Sequence, residues 1–298
     1  MKNNKDILSF MFLVLPPLFW AGNFVVGRAI RDEIPPLALS FGRWSIAFLV
    51  LLPFAIKYIK RDYKLYIKHK WLVLKMAIFG IAGFNTLVYL GLHSTTAINA
   101  ILLNSFIPIL IILFGALFFK QTTFKNQIIG MSLSFIGVFV IILHGNFANL
   151  LTLTFSKGDI IVFLAMVCWA FYTLWVRELP REINQIGLLE TQITIALLFL
   201  LPFVIFEASL GFAPIWSRAS VLSLLYVGIV PSVLAYIFYI LAVVKFGSIR
   251  AGGFIHLMPV FGTILSIIFL GEKLYAFHIV GILIILIGLF ISGKKKKA

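Results

Sequence analysis

Ten long apolar runs, most of them separated by only a few residues, leave this chain little freedom in how it folds. They lie at about 7–30, 36–57, 71–92, 95–119, 127–143, 159–179, 183–206, 220–244, 249–270 and 275–292. A bilayer crossing needs about 20 predominantly apolar residues, so ten crossings need about 200. The chain has 298 residues, of which 62% are apolar and only 12% charged, enough for ten spans that each carry a few polar positions. A soluble domain of this size runs nearer half apolar and about a quarter charged, which excludes a water-soluble enzyme and a disordered chain. The sequence predicts an all-α integral membrane protein whose neighbours in sequence are antiparallel neighbours in space.

The formal charge of +15 suggests nucleic acid in a soluble protein, but membrane proteins collect Lys and Arg in cytoplasmic loops. With the N-terminus placed inside, 18 basic residues fall on the inner side: Lys2, Lys5, Lys57, Lys60, Arg61, Lys64, Lys68, Lys70, Lys120, Lys125, Arg177, Arg181, Lys245, Arg250 and Lys294–Lys297. Only 5 fall outside: Arg28, Arg31, Lys157, Arg218 and Lys273. This bias predicts a multi-pass protein of the cytoplasmic (inner) membrane with both termini cytoplasmic, and it explains most of the charge without nucleic acid. Anionic-lipid binding is the rival reading of the C-terminal lysines and of the basic linker over 58–70. Lys2 and Lys5 ahead of an apolar run resemble a signal peptide. That run is too long for one and no cleavage site follows, so it is read as the first span. The lone cysteine, Cys168, excludes an intramolecular disulfide.

The two halves of the chain repeat one another. At an offset of 149, Trp20-Ala21 matches Trp169-Ala170, Arg28 matches Arg177, and Leu51-Leu52-Pro53-Phe54 matches Leu200-Leu201-Pro202-Phe203. Later the offset is 151, pairing Ala100 with Ala251, Pro108 with Pro259, Gly130 with Gly281, Gly137 with Gly288 and Phe139 with Phe290. Five spans per half is an odd number, so the second half enters the membrane from the opposite side. The expected organisation is a first repeat over 1–146, an external linker over 147–158 and a second repeat over 159–298 with a basic tail. Inverted repeats of this kind are typical of secondary transporters, where two copies exchange conformations around one midplane site.

Polar groups inside spans are costly and default to functional hypotheses. Arg43 either contacts a substrate carboxylate or is structural, tying down backbone carbonyls or snorkelling toward the outer interface. Glu190 and His256 are candidates for proton coupling, His256 also for substrate contact or one interhelical hydrogen bond. Asn85 and Tyr89, spaced i, i+4, share a face of span three, as Trp169 and Tyr172 do in span six and Tyr236 and Tyr239 in span eight. With Asn23 and Asn104 these are the candidate lining of an organic-solute cavity, the alternative being helix packing. Pro108, Gly252, Gly253 and Pro259 are candidate hinges, because glycine and proline loosen a helix and free its carbonyls. Gly130/Ser134 and Gly262/Ser266 are small-xxx-small pairs that let helices approach closely.

Trp20-Ala21-Gly22-Asn23-Phe24, Ala38-Leu39-Ser40-Phe41-Gly42-Arg43-Trp44, and Pro259 followed by Leu270-Gly271-Glu272-Lys273-Leu274 carry a resemblance across nearly the whole chain. The sequence resembles the EamA-type ten-helix branch of the drug/metabolite transporter superfamily. The first-half counterpart of the last motif reads Phe119-Lys120-Gln121-Thr122, with Gln121 at the usual Glu. The resemblance implies two inverted five-helix repeats, fifth and tenth spans packed away from the cavity, and proton-linked, gradient-linked or passive movement of small metabolites, often amino-acid export. A lipid or head-group flippase is the nearest alternative. An intramembrane lipid enzyme is a remote one, since no Walker A, G-x-S-x-G or H-E-x-x-H pattern occurs. The five histidines (His69, His93, His144, His256, His278) are scattered, which argues against a metal. The expected partners are a small-molecule substrate, the bilayer and protons as a coupling ion, with no cofactor and a monomer or homodimer as the assembly.

Overall fold

The computed structural model describes residues 2–152, 156–270 and 273–293. The Gly271-Glu272 pair and the Lys294–Lys297 tetrad lie outside the described residues. Ten membrane helices follow the ten apolar runs. They are α1 (Lys2–Ala29), α2 (Pro36–Lys68), α3 (Lys70–Leu92), α4 (Ala97–Asn104 and Ile107–Phe119), α5 (Lys125–Ile142), α6 (Lys157–Val176), α7 (Gln185–Ser209), α8 (Arg218–Phe246), α9 (Ser248–Gly253, Phe254–His256 and Leu257–Leu270) and α10 (Ala276–Gly293). Nine are long and apolar enough to cross a bilayer by the described residues alone, and α1 contributes the shorter apolar stretch Ser9–Asn23.

Local chemistry sets the ends. Thr96 caps α4 by accepting from Asn99 N–H, Asn184 caps α7 by accepting from the amides of Ile186 and Gly187, and Pro35-Pro36 opens α2. One boundary differs from expectation. The basic stretch over 58–70 is not a loop: α2 runs on to Lys68, about 50 Å in all against a hydrocarbon core of about 30 Å. Nothing between Lys57 and Lys68 breaks a helix, and its apolar face is covered. Gly187 of α7 sits against Tyr58, Ile59 and Tyr66. The linker over 147–158 holds a short 3-10 helix, Phe147–Thr152.

The packing follows the repeat. α2 lies on α7 and α5 on α10, each helix against its own counterpart. The remaining major pairs come in matched sets: α3 on α6 with α8 on α1, α4 on α6 with α9 on α1, and α3 on α7 with α8 on α2. The self-paired helices are antiparallel, as inversion requires. On α5 and α10, Gly130 faces Gly288 and Ser292 while Gly137 faces Gly281 and Ile285. Ser134 is fully buried at this crossing, as its small-xxx-small spacing predicted. Gly262 of the other such pair is not at a close crossing: a Cβ added there meets nothing within 4 Å among the described residues. The true counterpart of Gly130 at a close crossing is on α10.

Helices α2 and α7 cap one another reciprocally. Buried Glu207, near the end of α7, accepts from the amides of Leu37 (3.1 Å) and Ala38 (2.8 Å) at the start of α2. Buried Asp62, near the end of α2, accepts from the amide of Asn184 (2.8 Å) at the start of α7 and is held by Arg61 (2.6 Å). Each carboxylate meets orphan donors and the positive end of a helix dipole. Glu207→Ala is expected to lower stability by about 1–2 kcal/mol. The two ends are about 35 Å apart, so Glu207→Ala and Asp62→Ala should add to within about 0.5 kcal/mol when melting is followed in detergent.

The irregularities also repeat. α3 carries a π-helical stretch at Ala77–Gly83 and α8 one at Val230–Leu234. α4 breaks at Ser105-Phe106 and α9 passes through a 3-10 turn at Phe254–His256, beside the predicted hinges Pro108, Gly252, Gly253 and Pro259. Both glycines also serve close packing: an added Cβ meets Ile111 at Gly252 and Met131 at Gly253.

Candidate functional site

Residues that touch their own counterparts mark the axis relating the halves. Trp20 and Trp169, 149 apart, meet edge to face with centroids 5.0 Å apart. Asn85 and Tyr236, 151 apart, are joined by a 2.9 Å hydrogen bond from Asn85 Nδ2. Ser105 and His256, also 151 apart, are joined by a 2.9 Å bond from His256 Nε2 to the Ser105 carbonyl. The second His256 nitrogen pairs with Ser134 Oγ at 2.8 Å, so the buried ring ties α9 to both α4 and α5. Nε2 donates to the carbonyl, and the serine hydroxyl at Nδ1 can accept from or donate to the ring.

A small cavity of about 10 Å³, room for about one water molecule, lies on this axis. Three counterpart pairs line it: Trp20 with Trp169, Asn104 with Ile255, and Ile107 with Met258; Asn23, Asn85 and Phe84 complete it. Asn104 and Ile107 flank the break in α4, and Ile255 lies in the turn of α9. The helix interruptions therefore end at the cavity. The lining is chemically lopsided. All three amides come from the first half, whereas their counterparts in the second are Tyr172, Tyr236 and Ile255.

Arg43 stands behind the amides. Its buried guanidinium donates to Asn85 Oδ1 (2.6 Å), Asn23 Oδ1 (3.3 Å) and Tyr89 Oη (2.6 Å) through Nη1, and to Ser232 Oγ (2.8 Å) through Nε. It also lies over the Trp44 ring, 5.0 Å from the centroid. Tyr89 in turn donates to Asn23 Oδ1 at 3.0 Å. No carboxylate pairs with Arg43 among the described residues; the cation is held by neutral dipoles and a π face. The π-helical stretches supply two more fixed points. Tyr236 Oη donates to the Gly80 carbonyl (2.8 Å) and Trp20 Nε1 to the Pro231 carbonyl (3.0 Å), acceptors that are themselves counterparts.

The structure thus brings together Asn23, Arg43, Asn85, Tyr89, Asn104, Trp169 and Tyr236. Tyr172 and Tyr239 pack around Trp169 in tilted contacts, each with ring centroids 5.2 Å from it, and Tyr239 Oη lies 2.9 Å from Thr173 Oγ1. Glu190 is elsewhere. The contacts of Gly187 with Ile59 and of Glu207 with Leu37 place it level with Ala55, about 18 Å along α2 from Arg43. It is fully buried and neither carboxyl oxygen has a hydrogen-bond partner. Trp20, Trp44, Phe84 and Ser232 join the network without having been singled out. The repeat offset pointed to Trp20 through Trp169, whereas nothing marked Ser232, whose counterpart is Ile81.

The comparisons agree with this architecture. The model of the EamA-like transporter family matches twice, over residues 7–143 and 156–293. The uncharacterized transporter YyaM of Bacillus subtilis is 26% identical over 97% of this chain and 94% of its own length. An uncharacterized transporter of Archaeoglobus fulgidus is 27% identical over 96% of this chain and 97% of its own. A solved crystal structure at 17% identity shares the fold, with a TM-score of 0.73 over 95% of both chains. With two family matches spanning both halves, and the axis, breaks and reciprocal packing that an inverted repeat demands, the chain belongs to the EamA-like transporter family.

Proposed function

We propose that the protein is a secondary transporter of the cytoplasmic membrane, termini inside, that exports a small amphipathic metabolite, an amino acid or related solute. The observation that carries this reading is the axial cavity lined by counterpart pairs at two helix breaks. Rocking one repeat against the other opens such a cavity to either side in turn. A lining of three amides together with indoles and aliphatic chains suits a solute with one polar and one apolar end. The Trp169 indole N–H is buried beside Tyr239, and it is a donor for which a solute oxygen would compete with that hydroxyl. Arg43 holds the amides of Asn23 and Asn85 in place, and Glu190 is the candidate proton carrier.

The test is uptake and counterflow of an amino-acid panel in proteoliposomes. A saturable flux is expected for at least one solute, and Asn104→Leu should weaken its apparent affinity about tenfold or more, the loss of one buried hydrogen bond. No flux across a broad metabolite panel would overturn the reading. If Glu190 carries the proton, flux should follow an imposed pH gradient, and Glu190→Gln should abolish that dependence.

A further inference from the structure

A second, larger recess lies on the other side of α9 from the axial cavity, between α1, α9 and α10. It is an apolar groove of about 510 Å³ with a floor of Phe254, Leu257, Val260 and Leu289, all buried, and walls that include Leu286. Arg250 and Gly293 close the end nearest the chain termini. From Arg250 to Phe261 the groove spans about 16 Å along α9, the hydrocarbon depth of a single leaflet.

The counterpart position between α4, α5 and α6 is built differently. There the rings of Phe106, Phe135 and Phe163 meet, with Phe106 centroids 5.0 Å from Phe135 and 6.1 Å from Phe163. In the second half the equivalent residues are Leu257, Leu286 and Val14, all smaller, although Phe254 and Phe261 replace Leu103 and Leu110. The counterpart of Arg250 is Asn99, so the charge is also particular to this groove.

Arg250 is not paired with a carboxylate among the described residues. Its Nε is buried without a hydrogen-bond partner, and its guanidinium rests over Phe246 at 5.2 Å. It also lines the adjoining polar recess of about 500 Å³ that contains Lys120, Arg177 and Glu178. A one-leaflet apolar slot ending in an unpaired guanidinium is complementary to one acyl chain below an anionic phosphate. From this geometry we infer that the groove holds an anionic phospholipid of the leaflet facing the chain termini, its phosphate on Arg250 and one acyl chain along α9. A phosphate accepts two parallel bonds from a guanidinium, which fixes the head while the chain fills the slot.

Native mass spectrometry of the full-length protein in detergent, titrated with phosphatidylglycerol or phosphatidylcholine of identical chains, tests this. One phosphatidylglycerol is expected to bind at least about tenfold more tightly than phosphatidylcholine, a difference of about 1.4 kcal/mol. Arg250→Gln should abolish that preference and Arg250→Lys should retain part of it. Leu286→Trp, at a half-exposed position that tolerates bulk, should weaken both lipids by filling the slot. Soluble glycerol 3-phosphate should not compete. Equal binding of the two lipids overturns the inference. So does a preference that survives Arg250→Gln but vanishes when Lys294–Lys297 are changed to Gln, the mark of surface charge alone. A dimer that displaces the lipid, or competition by glycerol 3-phosphate, overturns it equally.

Discussion

Arg43→Met is expected to abolish transport and to destabilise the protein by about 3 kcal/mol, measured as flux in proteoliposomes and as melting in detergent. The estimate weighs two opposed terms. Removing an uncompensated buried cation relieves its desolvation cost. Against that, Asn23 Oδ1, Asn85 Oδ1, Tyr89 Oη and Ser232 Oγ all lose a charged donor. A buried acceptor left unsatisfied costs about 1–3 kcal/mol. Some repair is built in, since Tyr89 already donates to Asn23 and Ser232 to the Val227 carbonyl. Asn85 has the least to fall back on as an acceptor, and it lines the axial cavity. Arg43→Lys should restore only part of the stability, because one ammonium cannot span the separate directions that Nε and Nη1 serve. A methionine variant that melts and transports like the parent would refute the positioning role of Arg43.

The other large effect is expected at the crossing of α5 and α10. A Cβ at Gly130 falls 2.5 Å from the Gly288 carbonyl and from Ser292 N, and one at Gly288 falls 2.5 Å from the Gly130 carbonyl. These are backbone atoms of a packed helix, so a rotamer change cannot relieve the clash; the helices must separate along their length. Gly130→Ala and Gly288→Ala should each cost about 3 kcal/mol, the upper end of what overpacking costs. Gly262→Ala, which adds the same methyl group into open space, should change the melting point little. Equal melting of Gly130→Ala and Gly262→Ala would show that the crossing is looser than described.

Glycine spacing alone did not separate these cases. Gly130/Ser134 and Gly262/Ser266 carry the same pattern, yet of the two glycines only Gly130 lies at a backbone contact among the described residues. Hydropathy cannot tell them apart because lipid tails are as apolar as a neighbouring helix, so both environments select the same residues. The same degeneracy hid the apolar groove beside α10, whose lining reads as ordinary span. The basic stretch over 58–70 misled for a related reason. Its charge marks departure from the hydrocarbon and says nothing about whether the helix continues into water, where Asp62 and Tyr66 in fact pack it on α7.

What the sequence determined by itself is one-dimensional: ten spans, because backbone in hydrocarbon must satisfy its own hydrogen bonds, and an inverted repeat, because an offset of 149 and then 151 over an odd number of spans has no other topology. That offset even contained the axial pairs Trp20/Trp169, Asn85/Tyr236 and Ser105/His256, once it was known which counterparts touch. Contact was what only the tertiary structure decided. Arg43 reaches Ser232 across 189 positions of chain, and Ser232 matches an isoleucine in the other half, so neither periodicity nor repeat could announce the pair. A hydrogen bond forms wherever the fold brings donor and acceptor within about 3 Å, and that distance belongs to the packed bundle, not to the order of residues along it.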